Sequence, residues 1–146
     1  MRRLLLACLL LLAGCAVPRW PVQGSLISPY GIRREGVGVD IHEGVDIRVP
    51  TGTPVRAMAP GTVSFAGTMR GYGYVVMIDH GGGVTTVYAH LAEVRARDGQ
   101  AIRDHDVIGL SGSSGNASTP HLHFEIIRGG TSEDPVALIG SFPTPR

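Results

Sequence analysis

Lysine is absent from this chain of 146 residues, so all thirteen basic side chains are arginine. A lipoyl- or biotinyl-carrying domain is thereby excluded, because those groups hang from a lysine amine. Cysteine is nearly absent too: Cys8 and Cys15 are the two, and nothing after residue 15 can form a disulfide. A domain of about 130 residues buries some two-thirds of its unfolded surface and needs no such staple. Aromatic residues make up only 5%, against 21 Gly and 10 Pro. That balance favours short strands joined by tight turns over a helical bundle. No apolar run exceeds the ten residues from Leu4 to Ala13, too few to cross a bilayer of about 30 Å as a permanent helix. An excess of one charge is missing as well. Without Arg2 and Arg3 the chain holds 11 basic and 12 acidic residues, a net of −1. Nucleic acid, which is held by clustered cations, is therefore not an expected partner. Arg95, Arg97 and Arg103 are interleaved with Asp98, Asp104 and Asp106 and read as a solvated face.

What is present begins with an address. Met1-Arg2-Arg3 followed by Leu4 to Ala13 has the charged and apolar regions of a signal peptide. Leu12-Ala13-Gly14-Cys15 then resembles the lipobox of bacterial lipoproteins. The resemblance implies cleavage after residue 14 and acylation of Cys15 on its thiol and new amino group. Several acyl chains give a firm membrane anchor where one alone is marginal. Residues 15–24, with Pro18 and Pro21, read as anchor and tether. Ala16 stands where an Asp would favour the inner membrane, which implies attachment to the outer membrane, facing the periplasm. A plain secretory leader with a coincidental Cys is the alternative.

From residue 25 to 146 the sequence reads as one domain of short strands. Val45 to Val49 stops at Pro50, and Val55 to Met58, Thr62 to Ala66 and Tyr74 to Asp79 follow, separated by Pro- and Gly-rich turns. Gly81-Gly82-Gly83 predicts a hairpin loop returning through Val84 to Ala89. Val107 to Leu110 and His121 to Ile127 complete the set, and Leu91 to Arg97 has room for one helical turn. Strands of this length and spacing predict an all-β fold, an antiparallel sheet or sandwich.

Six histidines carry the chemistry. In a strand, His121, His123 and Glu125 project to one side while Leu122, Phe124 and Ile126 project to the core. Alone, such a pair reads more readily as two surface histidines. His42-Glu43-Gly44-Val45-Asp46 is not a zincin helix, since Gly44 and the β-branched residues after it disfavour one. His42 and Asp46 can share an ion only if the chain bends, which Gly44 permits; a surface turn is the plainer reading. His90 ends a predicted strand. Glu43 is expected to face solvent and His80 to be a turn residue. Taken together, His42, Asp46 and His123 supply two neutral nitrogens and a carboxylate, a three-ligand catalytic zinc set with a position left for water. His90 and His121 are spare imidazoles for protons or an oxyanion. Glu125 is placed to fix the tautomer of a neighbouring histidine.

Several stretches, in this order, resemble the LytM/lysostaphin-type zinc metallo-endopeptidases, a peptidoglycan-cleaving family. They are Ser28-Pro29-Tyr30-Gly31-Ile32-Arg33, His42-Glu43-Gly44-Val45-Asp46-Ile47, Tyr88-Ala89-His90-Leu91, Gly112-Ser113-Ser114-Gly115 and Pro120-His121-Leu122-His123-Phe124-Glu125. The likeness runs from about Ser28 to Pro135 and departs at His105, where relatives usually carry Gly, and at Tyr74, where they often carry Asn. It implies zinc on His42, Asp46 and His123, catalytic roles for His90 and His121, and an antiparallel β-fold with an open groove. The implied reaction is attack of a metal-activated water on peptide cross-links of peptidoglycan. The loop from Ser111 to Thr119 is a candidate groove wall, and residues 33–41 are a candidate cover. D-alanyl–diaminopimelate cross-links and glycyl bridges both remain open as the bond cut. Some relatives are inactive and activate cell-wall amidases, so an amidase or divisome partner is the alternative reading.

Overall fold

The computed structural model of the chain describes residues 16–35 and 38–143; the leader and Cys15 lie outside them. The first strands are β1 (Ser25–Ser28), β2 (Gly31–Glu35), β3 (Gly38–His42), β4 (Val45–Arg48), β5 (Pro54–Arg56), β6 (Gly61–Met69) and β7 (Gly73–Asp79). β8 (Val84–Val94), β9 (Ala101–Ile102), β10 (Val107–Ser111), β11 (Leu122–Arg128), β12 (Thr131–Glu133) and the short helix α1 (Pro135–Ile139) follow. Ten strands form one sheet in the order β1-β4-β11-β8-β7-β6-β9, with β12 on β11 and β10 bridging β8 and β5. β2 and β3 form a separate two-stranded hairpin. The strand pairings are antiparallel throughout, so the expected all-β antiparallel class is the one found. No helix among the described residues is long and apolar enough to cross a membrane.

The alternation of β11 builds both faces of this sheet. Leu122, Phe124 and Ile126 enter the main core with Val45, Ile47, Ile78 and Tyr88. Each of the three is at most 2% exposed, which contributes about 2 kcal/mol apiece to holding the strand down. His123 and Glu125 take the opposite face, in register with Ala89 and Val87. Those two join Val75 in a second, smaller apolar cluster. Between β3 and β4 the chain turns at Gly44 hard against β11. A Cβ there would collide with the Phe124 carbonyl, so the bend that the sequence allowed at Gly44 also excludes any side chain.

Several local expectations differ from the structure. β8 does not end at His90 but continues to Val94, and Leu91–Val94 is strand rather than a helical turn. The cause is non-local: Leu91, Glu93 and Val94 pair with Ser111, Leu110 and Gly109 of β10. The last long strand begins at Leu122, leaving His121 just outside it. α1 was not foreseen, although Asp134 accepts a hydrogen bond from the Val136 N–H (2.9 Å) and Pro135 opens the helix, both ordinary start signals. Part of the segment before residue 25 also packs on the sheet. Trp20 packs edge-on against Phe142 and Phe124 at 4.8 and 6.3 Å, and Val22 is buried. The Arg19 N–H donates to the Met58 carbonyl and the Arg56 N–H to that of Pro21.

Candidate metal centre

Asp46 of β4, His123 of β11 and Ala89 of β8 lie in one lateral row of the sheet. Directly opposed residues share a face, so register alone sets the Asp46 carboxylate beside the His123 ring. His42 is the last residue of β3, and the turn at Gly44 folds it back over the same pair. His42 Nε2 lies 3.2 Å from Asp46 Oδ1 and 3.2 Å from His123 Nδ1, and that Nδ1 is 2.8 Å from Asp46 Oδ1. Donors on a tetrahedral ion with bonds of about 2.0 Å sit about 3.3 Å apart. The triangle of atoms therefore has the size of one face of such a polyhedron, and among the described residues it is the one His/Cys/Asp/Glu group of that kind.

The outer nitrogens identify what these atoms offer. His42 Nδ1 is 2.7 Å from the Pro29 carbonyl and His123 Nε2 is 2.8 Å from Glu125 Oε1. Both partners are acceptors, so assigning the ring protons by hydrogen bonding puts an N–H on each outer nitrogen. In neutral rings the inner nitrogens then carry lone pairs. Two lone pairs and a carboxylate oxygen converge without a donor between them, an arrangement that repels itself unless a cation sits within it. Without metal, a proton takes that part. Burial would lower the pKa of His123, but hydrogen bonds and charge from Asp46 and Glu125 push it up to about 9. Burial works against the Asp46 carboxylate, yet His123 and His42 hold it well below the usual carboxylate range.

His90 and His121 complete the groove by different routes. In a regular strand His90 would follow Ala89 onto the core face. Between Tyr88 and Leu91, however, β8 advances three residues while β7 advances two, from Val76 to Tyr74. The extra residue is a bulge, and His90 sits in it at φ +60. Its ring is thereby turned to the site, 4.8 Å from that of His121 and 5.8 Å from that of His123. Two loops wall it in, because Gly115 (φ +71) leaves no room for a Cβ against the Gly71 to Gly73 turn. The Ser114 carbonyl takes His90 Nδ1 at 2.8 Å. Burial, with His121 and His123 adding to it, pulls the His90 pKa below the ordinary histidine value. His121 reaches the site from the turn before β11, its Nδ1 on the Thr119 carbonyl (2.8 Å) and its Nε2 3.8 Å from Asp46 Oδ1. The open groove around these rings holds about 520 Å³, with Asn116 and Ser118 of the 111–119 loop on its wall.

Two contributors were missed in the sequence. The Tyr72 hydroxyl donates to Glu125 Oε1 (2.8 Å), continuing the line from His123. Burial and the neighbouring Glu125 push its pKa up. Arg33 of the β2–β3 hairpin donates from Nη2 to Asp46 Oδ2 at 2.8 Å. The covering role expected of residues 33–41 falls to Arg33 and Asp40, which line the groove. The signal for Arg33 was the alternation of β2, in which Arg33 is half-buried while Ile32 and Arg34 are exposed. Glu43 is exposed. His80 bonds the Pro60 carbonyl and the Thr86 hydroxyl rather than lining the groove.

An antiparallel β-domain with this donor triangle and two further imidazoles in an open groove has the make-up of a metallopeptidase. The chain belongs to peptidase family M23, whose match covers residues 40–135. It is 42% identical over 126 residues to the DD-carboxypeptidase/endopeptidase Mpg of Neisseria meningitidis, an alignment covering 85% of this chain and 29% of Mpg. It is 35% identical over 132 residues to the murein hydrolase activator EnvC of Escherichia coli, covering 87% of this chain and 31% of EnvC. The chain thus spans under a third of either relative. Among solved structures, the catalytic domain of the prophage-encoded M23 protein EnpA of Enterococcus faecalis superposes with a TM-score of 0.72 at 32% identity. That likeness covers 84% of this chain and 96% of EnpA's.

Proposed function

We propose that the chain is a zinc-dependent endopeptidase that hydrolyses peptide cross-links of bacterial peptidoglycan. The observation that carries this is the convergence of His42 Nε2, Asp46 Oδ1 and His123 Nδ1 on one point, with His90 and His121 at its rim. A zinc ion bound there would supply a Lewis acid that activates water and polarises the scissile carbonyl. His42, Asp46 and His123 would hold it, and Glu125 would keep the His123 proton on Nε2. His90, kept neutral by its lowered pKa, would accept a proton at Nε2, the nitrogen not engaged by Ser114. His121, when protonated at both nitrogens, would donate from Nε2 to the carbonyl oxygen, and the proton taken up by His90 would pass on to the leaving amine. Cys15 would carry the lipid anchor, placing the enzyme in the cell envelope at the outer membrane; the leader pattern supports this.

The test is digestion of purified sacculi by the wild type and by His121→Ala, with products identified by mass. The wild type should release uncross-linked muropeptides and the variant should release none while still binding one zinc. The similarity to EnvC favours one other reading, a non-catalytic partner that activates a cell-wall amidase. Intact cross-links after digestion by the zinc-loaded wild type, with stimulation of an added amidase, would establish that reading instead.

A further inference from the structure

We propose that Arg33 is a positioning residue for the metal centre. It occupies Asp46 Oδ2 so that the carboxylate presents Oδ1 alone, and it thereby links docking of the β2–β3 hairpin to metal occupancy. This rests on the proposed reading that the centre binds a divalent ion.

The two oxygens of Asp46 have separate surroundings. Oδ1 lies 2.8 Å from His123 Nδ1, 3.2 Å from His42 Nε2 and 3.8 Å from His121 Nε2. Oδ2 is 2.8 Å from Arg33 Nη2. A carboxylate free at both oxygens can chelate an ion, and chelation would consume the position that a three-ligand hydrolytic site leaves for water. A guanidinium fixed on Oδ2 prevents that by charge and by direction.

Within the hairpin Arg33 lies opposite Asp40, but the one side-chain ion pair it makes among the described residues is with Asp46. Among the described residues β2 and β3 pair only with each other, and a two-stranded ribbon alone is marginal. Its outward face leaves Ile32, Val39 and Ile41 at 76%, 72% and 65% exposure, so apolar burial does not fasten it. Its inward face does: His42 at the end of β3 reaches the donor triangle and Arg33 reaches Asp46. Among the described residues no acceptor meets the buried Nε of Arg33, a cost accepted where the group is needed for Nη2. Two of the hairpin's attachments are thus to the metal centre itself, one through a proposed ligand and one through the carboxylate of another. By linkage, an ion that fixes His42 and Asp46 orders the hairpin, and a docked hairpin favours the ion.

The test uses Co(II) as a visible probe of coordination in the purified chain, with zinc affinity measured separately by chelator competition. Four-coordinate Co(II) absorbs more strongly than five-coordinate. Arg33→Ala should lower the visible absorption per bound cobalt as Oδ2 joins the ion, and should weaken zinc about tenfold, the low end of what loss of an outer partner costs. Arg33→Lys, which returns a cation and one donor, should recover part of both. Arg34→Ala, on the exposed face, should change neither. Zinc should slow amide exchange across residues 31–42 in the wild type and less so in Arg33→Ala, whose melting checks that it folds. An unchanged cobalt spectrum and zinc affinity in folded Arg33→Ala would overturn the inference alone. A rise in KM with the spectrum unmoved would do the same and assign Arg33 to substrate. A wild type that binds neither ion would overturn the metallopeptidase reading and this inference together.

Discussion

Zinc loading should displace a proton from His123, and the pH dependence of affinity tests the assignment of its Nδ1. Burial alone would depress the pKa of this ring, but Asp46 and Glu125 raise it to about 9. At pH 7 roughly one metal-free molecule in a hundred then has a neutral His123. A ligand must offer a lone pair, and Nδ1 is the atom facing the other two donors. Metal therefore favours the deprotonated form, and apparent affinity rises with pH. It should lie roughly a hundredfold below its alkaline limit at pH 7, climb about tenfold by pH 8 and level off above about pH 9. Asp46, held below the usual carboxylate range, is ionised throughout this window and adds no slope. Competition with a chromophoric chelator at stepped pH reads the slope. Calorimetry in two buffers of different ionisation enthalpy should count about one proton released per zinc at pH 7. Flat affinity between pH 7 and pH 8 with no proton release would refute the placement of this ring among the ligands.

Glu125→Gln replaces the carboxylate that accepts from His123 Nε2 and Tyr72 with a weaker, uncharged partner. Zinc affinity should fall about tenfold to a hundredfold by chelator competition while the far-ultraviolet dichroism stays as in the wild type. Gly44→Ala drives a methyl into the Phe124 carbonyl and should cost about 1 to 3 kcal/mol by denaturant unfolding; wild-type stability would show that the turn yields. Metal-free stability should vary with pH from both ends. The His123 pKa is raised from 6.5 to about 9, so its contribution is complete below about pH 6.5 and lost as pH rises through 9. The Asp46 pKa is lowered from 3.8, so its contribution is present above pH 3.8 and lost as pH falls below it. Melting in excess chelator should show a decline of several degrees at the alkaline end, absent from His123→Gln.

The parts of this site legible in the sequence are those governed by local periodicity. Alternation from Leu122 to Ile126 sorted two polar residues from three core residues because β11 is a regular strand, and its inference needed no knowledge of neighbouring strands. Gly44 was readable as permitting a bend, but its close approach to the Phe124 carbonyl, which excludes any side chain, depends on β11 far along the chain. Long-range pairing erased what local pattern suggested elsewhere. Leu91 to Val94 looked free to coil because their partners in β10 lie 15 to 20 residues downstream. The same exchange of neighbours, from β11 up to Ala89 to β10 from Leu91 on, makes room for the bulge that aims His90. A strand end would have left that ring at the rim of the sheet; a bulge in mid-strand fixes it from both sides. Trp20 and Val22 carried an apolar signal inside a segment whose prolines suggested a tether, and the core partners Phe124 and Phe142 that claim Trp20 are far away in sequence.

The contacts of Arg33 and Tyr72 with the centre were not legible for a related reason. Neither belongs to a spaced motif of ligand types, and each acts by reaching across the fold to an atom that a ligand-type residue leaves uncovered. The inner atoms of His42, Asp46 and His123 are chemically demanding and draw their residue types into recognisable spacing. The outer atoms ask only for a hydrogen-bond partner of the right sense. The Pro29 carbonyl, the Glu125 carboxylate and the Arg33 guanidinium each meet that demand from a different element. Backbone carbonyls can serve from any residue type, so the outer layer of such a centre is written in topology more than in sequence. Substitutions there should accordingly change how firmly an ion is held while leaving the ligand types untouched.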